Sequence, residues 1–476
     1  MTSLQGVALR CLLPGFQGTV APDWVRRRVA NGLGGVVLFG RNVESDEQVR
    51  ALTATLHAER PDLVVAIDEE GGDVTRLDAR TGSRYPGNLA LGVAGDPCLT
   101  ADVAADMGAR LAGVGVDLNL GPVADVNTNP QNPIIGVRSF GSDPAAVAEH
   151  TAAWVRGMQG AGVAACAKHF PGHGDTSVDS HLALPVGKDE LSPFKAAIGA
   201  EVKAIMSAHI VIPSIDRQPA TISSRVMTGL LRDELGFEGV AITDGLEMGA
   251  LSGGRTLAEG GVLALAAGCD ALCVGGGLRD EGVVDELVAA IVSAVNDGRL
   301  LEERLAQAVS RMELLSSPLA GKSAAQPREG AAWLVATSPL AGKSAAQPRE
   351  GAAWLVARYA IRAEGNVTIG DDAVVIRLDS PSSIAAGEVP WGVAEALAAR
   401  GVRITENVGR LVIAVRDLHR QPENQARTAS LLERQPDAVV VEMGVPICRP
   451  SAAKNYLATH GSARVCAEAA AAVMRS

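Results

Sequence analysis

Eight short apolar segments recur along the first 315 residues, and a longer amphipathic stretch separates each of them from the next. The apolar segments are residues 7–13, 34–39, 63–68, 116–123, 163–170, 204–212, 239–244 and 270–276. The intervening stretches with helical length and spacing include 101–113, 144–160, 224–235 and 283–297. Nearly continuous apolar strands that alternate with helices predict a parallel sheet that is buried on both faces. Eight such units are typical of the α/β fold known as the TIM-like (β/α)8 barrel.

The main alternative is an open, doubly wound parallel sheet with helices on both faces. Eight strands are somewhat many for that architecture, and no Gly-x-Gly-x-x-Gly motif follows the first strand. We therefore predict a barrel over residues 1–315, which ends in a helix at 302–315.

A perfect tandem duplication follows the predicted barrel. The sequence SPLAGKSAAQPREGAAWLVA occurs at 317–336 and again, unchanged, at 338–357. Two copies are too few for a solenoid, and the Gly-Lys-Ser in each copy lacks the earlier glycine and the strand of a phosphate-binding loop. We interpret residues 316–357 as a linker.

The alternating pattern resumes after this linker with shorter apolar runs. These runs are residues 373–378, 410–415 and 438–444, and helical stretches lie among them at 391–400, 422–435 and 463–474. The pattern predicts a second, smaller α/β domain over residues 358–476.

Charge and cysteine content limit the partners and the location. The chain carries 43 Lys and Arg against 54 Asp and Glu, a formal net charge of −11, so we expect neither a nucleic-acid nor a membrane partner. The first residues lack a signal-peptide pattern, and no apolar stretch approaches the length of a membrane span. Seven cysteines without a Cys-x-x-Cys pair indicate reduced thiols. We expect a cytoplasmic protein. The sequence does not determine the oligomeric state, and a monomer is the expectation.

Charged residues and histidines lie at or just past the ends of five of the eight predicted strands. These residues are Asp68, Glu69, Glu70 and Arg76 after the third strand, Asp125 and Arg138 after the fourth, Lys168 and His169 in the fifth, His209 in the sixth and Asp244 after the seventh. Active sites of parallel barrels lie at the carboxyl ends of the strands. Each residue has an ordinary explanation by itself, but their convergence on one edge predicts an active site.

The loop at 168–181 is the densest part of this predicted site. It holds Lys168, His169, His173, Asp175, Asp179 and His181. His169 and His173 have the i, i+4 spacing of two metal ligands, but that spacing puts both on one face only within a helix. Because Pro171-Gly172 lies between them, we expect no catalytic metal.

Asp179 and His181 suit acid/base chemistry. An aspartate two residues from a histidine in an extended loop can accept the imidazole N–H, fix its tautomer and raise its pKa toward neutral pH. A solvated surface loop is the alternative for this pair, and a common Asp-Gly turn is the alternative for Asp244. Opposite an acid/base group, Asp244 would be the nucleophilic carboxylate that retaining glycoside hydrolysis requires. The side chains that would hold sugar hydroxyls and an acyl group are Asp68, Arg76, Arg138 and Lys168.

The segment KHFPGHGDTSVDSHLALP at 168–185 closely resembles the signature of the β-N-acetylglucosaminidase branch of glycoside hydrolase family 3. Other motifs agree in order: GGVVLFGRN (34–42), IDEEGGDVTRL (67–77), GPVADVN…NPIIGVRSFGSDP (121–144), MSAHIVIP (206–213) and AITDGLEMGAL (241–251). The resemblance covers essentially the whole first domain. The second domain is similar, with weaker motifs, to the α/β sandwich of the family's two-domain members.

The resemblance implies a retaining exo-β-N-acetylglucosaminidase that removes terminal non-reducing N-acetylglucosamine from a small-molecule glycan, such as a muropeptide. It implies no metal or organic cofactor. Asp244 matches the nucleophile, His181 the histidine acid/base, and Asp179 the partner of that histidine. Residues that match the ligands of the first sugar subsite are Asp68, Arg76, Arg138, Lys168 and His169. Residues expected to support these side chains are His173, Asp175 and His209.

Two departures from the family pattern affect leaving-group preference. Members often carry Arg at the position of Asp73 and Asp at the position of Gly245. Aromatic residues make up only 3% of the chain, which suits a pocket for one sugar better than a long cleft.

Three alternatives stay open. A β-glucosidase or β-xylosidase of the same fold usually takes its acid/base from elsewhere, and an intact Asp179/His181 loop argues against it. A histidine adds no negative charge to the site, so phosphate could replace water, which would make the protein an N-acetylglucosaminide phosphorylase. A catalytically silent sugar-binding or scaffold protein would be expected to lose a catalytic residue.

In the second domain Arg416, Asp417 and His419 follow a strand and could reach the cleft of the first domain.

Overall fold

Strands and helices alternate along the computed structural model, which describes residues 3–180, 182–249, 255–275, 280–316 and 351–476. The strands of the first part are β1 (Leu12–Pro14), β2 (Gly35–Leu38), β3 (Val64–Ile67), β4 (Leu118–Asn119), β5 (Ala164–Phe170), β6 (Ala204–Ser207), β7 (Val240–Thr243) and β8 (Leu272–Val274). Its α-helices are α1 (Leu4–Arg10), α2 (Asp23–Ala30), α3 (Asp46–Glu59), α4 (Asn88–Ala94), α5 (Pro97–Gly113), α6 (Pro144–Gly160), α7 (Ser192–Gly199), α8 (Leu257–Ala267), α9 (Glu281–Asn296) and α10 (Glu302–Ser316). A π-helix, Arg225–Glu234, precedes β7.

The strands of this part are parallel and form a curled sheet. Strands β2 to β7 are hydrogen-bonded in chain order, and β1 pairs with β8. Single bridges, Gly15 to Val37 and Ile242 to Ala271, connect that pair to the two edges of the six-stranded sheet. The buried side chains on the inner face include Leu13, Val64, Leu118, Cys166, Met206 and Cys273, and Met312 and Leu315 of α10 pack against them. The structure confirms the predicted α/β alternation and the parallel sheet.

The first predicted strand, 7–13, is wrong for most of its length. Residues Leu4–Arg10 form α1, because the Ser3 side chain accepts the backbone N–H of Gly6 and caps a helix there. The strand begins only at Leu12. Apolar content alone does not distinguish a short buried helix from a strand, and the capping serine was the informative signal.

The second part contains a six-stranded sheet with helices on both faces. Its strands are β9 (Arg362–Glu364), β10 (Asp372–Arg377), β11 (Arg403–Ile404), β12 (Arg410–Val415), β13 (Val439–Glu442) and β14 (Asn455–Ala458), in the order β11-β10-β12-β13-β14-β9. Its helices are α11 (Ala352–Ala360), α12 (Ala394–Ala398), α13 (Pro422–Arg434) and α14 (Arg464–Met474). All pairings are parallel except that of β9 with β14. Leu397 of α12 and Met474 of α14 cover one face, and Leu432 of α13 covers the other.

Helix α11 connects the two parts. It begins within the second copy of the duplicated segment and contacts α4 and α5 of the first part and α14 of the second. The first copy, 317–336, and residues 337–350 lie outside the described residues. Among the helices that the structure describes, none combines the length and the apolar character that crossing a membrane requires.

Candidate active site

Lys168 is the centre of a buried ion-pair network at the carboxyl end of the curled sheet. Its ammonium Nζ lies 2.7 Å from Asp68 Oδ1 and 2.7 Å from Glu70 Oε1. Arg138 binds the same Glu70 carboxylate twice, from Nη2 to Oε1 at 2.8 Å and from Nε to Oε2 at 3.0 Å. Burial opposes ionisation of Glu70, but the charges of Arg138 and Lys168 outweigh it and hold the pKa of that carboxyl well below its usual range. Glu70 is therefore ionised at neutral pH.

The loop after β3 separates three successive carboxylates by function. Glu69 Oε2 accepts the backbone N–H groups of Arg76 and Leu77 at 2.8 and 2.9 Å, so this side chain folds the loop. Burial raises the pKa of Glu69. Its neighbours Asp68 and Glu70 face Lys168 instead. The run Asp-Glu-Glu thus supplies one carboxylate to the loop and two to the site.

Arg76 forms part of the wall of the site together with the second part of the chain. Its Nη2 lies 3.6 Å from Asp68 Oδ2 and donates a 2.9 Å hydrogen bond to the backbone oxygen of Ala385. Ala385 also packs against Ile134 and Ile135, in the loop that leads to Arg138. The second part therefore contacts Arg76, one of the predicted sugar-binding residues, directly.

Asp125, which follows β4, holds two histidines in place. Its Oδ2 accepts from His169 Nδ1 at 2.7 Å, and its Oδ1 accepts the backbone N–H of His173 at 2.7 Å. Because a carboxylate only accepts, His169 carries a proton on Nδ1, while its Nε2 lies 3.5 Å from Arg138 Nη2. Burial opposes the charge on Asp125, but the two histidines outweigh it and lower the pKa of that carboxyl.

The predicted absence of a metal concerns the same two histidines. The rings of His169 and His173 stand edge to face, 6.0 Å apart between centroids. Among the described residues, no group of three His, Cys, Asp or Glu side chains has the arrangement of a metal site. The Asp125 carboxylate instead accepts hydrogen bonds from the ring N–H of His169 and the backbone N–H of His173.

His173 is buried beneath the predicted acid/base loop. Burial lowers its pKa to about 4, so the ring is neutral at neutral pH. Its Nδ1 lies 2.7 Å from Thr176 Oγ1, and its Nε2 lies 3.1 Å from Ser180 Oγ. Ser180 stands between Asp179, which is half-buried, and His181, which lies outside the described residues. The ring of His173 thus holds the side chain of Ser180, which follows Asp179 in the chain.

Asp244 directly follows β7 and is half-buried at the same edge of the sheet. Burial raises the pKa of the neighbouring Cys166 thiol, and the charges of Lys168, Asp68 and Asp244 all act on that thiol. Side chains from three strand ends are therefore close enough to share one electrostatic environment. Asp244 Oδ1 accepts the backbone N–H of Gly245 at 2.8 Å, which orients the carboxylate.

His209 supports the turn after Asp244. Its Nε2 donates to the backbone oxygen of Gly245 at 2.9 Å, because a carbonyl can only accept. Its Nδ1 lies 2.7 Å from Thr221 Oγ1, and the side chain is fully buried. Asp175, by contrast, points to the outer loop, where its Oδ1 accepts from Thr128 Oγ1 at 3.3 Å.

The five predicted sugar-binding residues, Asp68, Arg76, Arg138, Lys168 and His169, form one connected set. The sequence places Glu70 and Asp125 at strand ends but predicts no role for them. Both are fully or almost fully buried carboxylates that hold the cations and rings of the site. The available signal was position, since each carboxylate lies within a few residues of the end of a buried strand.

Two of the three polar residues singled out in the second part reach loops of the first part. Arg416 Nη1 lies 3.9 Å from Asp73 Oδ2, and His419 Nε2 donates to the backbone oxygen of Pro130 at 2.9 Å. Asp417 instead faces its own part, where its Oδ1 accepts the backbone N–H of Val445 at 2.8 Å. Asp73, a departure from the family pattern, also accepts from Ser462.

The sequence profile of the glycosyl hydrolase family 3 N-terminal domain matches residues 15–315, which is more than half of the chain. The chain belongs to glycosyl hydrolase family 3. This membership confirms the resemblance inferred from the motifs, and the matched region includes every predicted catalytic and sugar-binding residue.

This family 3 chain is similar to several hexosaminidases. Beta-hexosaminidase A of Pseudoalteromonas piscicida is 34% identical over 326 residues, which is 61% of this chain and 54% of the relative, so the chain spans about half of that protein. A beta-hexosaminidase of Nitrosomonas eutropha is 37% identical over 324 residues, 64% of this chain and 91% of the relative. A solved glycoside hydrolase family 3 beta-N-acetylglucosaminidase from Paenibacillus sp. str. FPU-7 superposes with a TM-score of 0.87 at 31% identity, covering 100% of this chain and 97% of that one.

Proposed function

We propose that this protein is a retaining exo-β-N-acetylglucosaminidase. The observation that carries the proposal is the arrangement of Asp244 at the sheet edge that also holds the Lys168–Asp68–Glu70–Arg138 network. A nucleophilic carboxylate beside a dense group of charged hydrogen-bonding side chains is what cleavage of a terminal sugar needs. The names of the hexosaminidase and N-acetylglucosaminidase relatives agree with this activity.

The proposed first step forms a covalent glycosyl-enzyme. Asp244 attacks the anomeric carbon, and the bond from that carbon to the leaving-group oxygen breaks. His181 gives its proton to that oxygen, and Asp179 stabilises the imidazolium before the transfer and fixes the tautomer of the ring. In the second step His181 accepts a proton from water, the hydroxide attacks the anomeric carbon, and Asp244 leaves. Two displacements retain the anomeric configuration.

The proposed sugar subsite uses the cations and the carboxylate of the network. Lys168 has three N–H donors, and its ion pairs with Asp68 and Glu70 account for two of them. The third donor and the partly exposed carboxylate of Asp68, whose Oδ2 also faces Arg76 at 3.6 Å, suit sugar hydroxyls. Arg138 with His169 suits the polar groups on the other side. Glu70 and Asp125 hold these groups in place before substrate binds, which reduces the cost of ordering them.

The finer architecture and the cellular setting are also proposals. The bridges at both edges of the six-stranded sheet support a closed (β/α)8 barrel over 1–315, and helices on both sheet faces support an α/β sandwich over 358–476. All seven cysteines are free thiols, which supports a reducing compartment such as the cytoplasm. Peptidoglycan fragments are the proposed natural substrates, and monomer remains the predicted state.

The test is a comparison of 4-nitrophenyl β-glycosides that carry N-acetylglucosamine, glucose or xylose. We expect turnover of the N-acetylglucosaminide alone, with the β-anomer of free sugar as the first product by proton NMR. Comparable turnover of the glucoside or xyloside would reject the substrate class. An α-anomer as the first product would reject the retaining mechanism, and N-acetylglucosamine 1-phosphate in phosphate buffer would favour the phosphorylase.

A further inference from the structure

We propose that His419 and Arg420, in the second part of the chain, are positioning residues for the loop at 173–180, which leads into the predicted acid/base pair; this inference rests on the proposed function. They act by holding a turn of the first part, Asn129–Asn132, which in turn holds that loop. The second part thereby helps to place the acid/base loop, a role that its sequence motifs do not reveal.

The first contacts lie between the two parts of the chain. His419 Nε2 donates to the backbone oxygen of Pro130 at 2.9 Å, and Arg420 Nη1 donates to the backbone oxygen of Asn132 at 3.3 Å. Both donors come from one 3-10 turn, Leu418–Arg420, and both acceptors belong to one turn of the first part. Two bonds from adjacent residues fix the orientation of that turn as well as its position.

The second set of contacts connects that turn to the acid/base loop. Asn132 Nδ2 donates to the backbone oxygen of His173 at 2.9 Å, and Asn129 Nδ2 donates to the backbone oxygen of Thr176 at 3.0 Å. The ring of His173 then contacts Ser180 at 3.1 Å, directly beside the predicted acid/base pair. The bonds from Asn129, Asn132 and His173 into the loop lie between buried or half-buried groups, so a displaced turn would displace the loop.

The turn that donates these bonds is itself rigidly held. Glu442 at the end of β13 accepts the backbone N–H groups of Asp417 and Leu418 at 2.8 and 3.1 Å. Gln425 Nε2 donates to the backbone oxygen of Leu418 at 2.8 Å, and the Leu418 side chain is buried. A preformed support of this kind positions a loop at little entropic cost.

The kinetic consequence depends on the leaving group. An aryl leaving group of low pKa departs without a proton, whereas a sugar leaving group needs the acid. The sugar subsite around Lys168 is held by Glu70, within the first part. Loss of the His419 and Arg420 contacts is therefore expected to slow substrates that need protonation and to leave activated substrates nearly unchanged.

The experiment uses the full chain and the single variants His419→Ala, His419→Gln and Arg420→Ala. The substrates are 2,4-dinitrophenyl β-N-acetylglucosaminide and the β-1,4-linked disaccharide of N-acetylglucosamine. A misplaced acid/base group should lower kcat/KM for the disaccharide by about 10- to 100-fold in His419→Ala and change the activated substrate by about twofold or less. Glutamine keeps an N–H donor near the position of Nε2 and should restore most of the loss.

The control is Arg362→Ala, which removes a hydrogen bond from the second part to the backbone oxygen of Val93, on α4 and away from the acid/base loop. It should leave both substrates unchanged. Equal losses on both substrates in His419→Ala and Arg420→Ala would indicate a merely structural contact and overturn the inference, as would no loss in either. A wild type that hydrolyses neither substrate would instead reject the proposed function itself.

Discussion

Two buried ion clusters lie at opposite ends of the curled sheet, and they differ in how many of their hydrogen-bonding groups are occupied by protein partners. At the amino end, Asp270 accepts from Arg232 at 2.6 Å, from Arg311 at 3.1 Å and from Arg304. Its Oδ2 also accepts the backbone N–H of Ala241 at 2.9 Å. Both carboxylate oxygens are therefore occupied by protein donors.

The carboxyl-end cluster of Lys168, Arg138, Asp68 and Glu70 is paired less completely. Glu70 is bound by two cations, whereas Lys168 pairs within the described residues only with Asp68 and Glu70, and the Asp68 side chain is 17% exposed. A cluster whose bonds are all internal can only stabilise the fold, whereas a partly exposed cluster can bind a ligand. Buried charge by itself therefore does not identify a site, whereas hydrogen-bonding groups that remain available to a ligand do.

Replacing the proposed nucleophile should give the largest effect of all. Asp244→Ala is expected to lower kcat for the N-acetylglucosaminide by about 10⁴-fold or more, because no covalent intermediate can form. Initial rates with the 4-nitrophenyl substrate measure this loss. Asp297→Ala, which removes an exposed carboxylate paired with Arg299, is the matched control and should keep full activity. Substantial activity in Asp244→Ala would refute the assignment.

Breaking the amino-end cluster should destabilise the protein without changing its kinetics. Asp270→Asn leaves three arginines without their shared carboxylate, which is expected to lower the free energy of unfolding by about 3–5 kcal/mol. Urea denaturation measures the change, and KM is measured at a temperature where the variant is folded. An altered KM would show that the two ends of the sheet are not independent.

Weakening the carboxyl-end cluster should have the opposite signature. Asp68→Asn removes a charged acceptor from the proposed sugar subsite and is expected to lower kcat/KM by about 10- to 100-fold, the effect of one charge-assisted hydrogen bond. Because Asp68 is partly exposed, Asp68→Asn should change the free energy of unfolding of the protein less than Asp270→Asn does. The proposed difference between the clusters would be wrong if Asp68→Asn lowered the free energy of unfolding as much as Asp270→Asn and left kcat/KM unchanged.

The smallest expected effect concerns acid stability. The folded-state pKa of Glu70 lies below its ordinary value of 4.5, so its ionised form stabilises the fold above that pH, and this stabilisation is lost as pH falls below it. The wild-type Tm should therefore fall more steeply below pH 4.5 than the Tm of Glu70→Gln, which lacks this titration. Parallel curves for the two proteins would contradict the assigned charge state.

The sequence predicted repeating features better than single contacts. The helix at 144–160 has the bounds of α6, because Asp143 caps it and Pro144 suits its first turn. The gathering of strand-end residues at one edge also follows from parallel topology.

Other features could not be read from spacing. Three successive carboxylates, Asp68, Glu69 and Glu70, carry no sequence signal that assigns Glu69 to the loop and Glu70 to Arg138. The contact of His419 with Pro130 joins residues that are 289 positions apart in the sequence, and only the folded chain brings such partners together.

The most direct test of the account is to trap the covalent intermediate. A 5-fluoro N-acetylglucosaminyl fluoride forms a glycosyl-enzyme quickly and releases it slowly, so peptide mass spectrometry can locate the labelled residue. We expect label on the peptide that contains Asp244 and on no other carboxylate. Label on a different residue, or turnover of the N-acetylglucosaminide without any trapped intermediate, would contradict it.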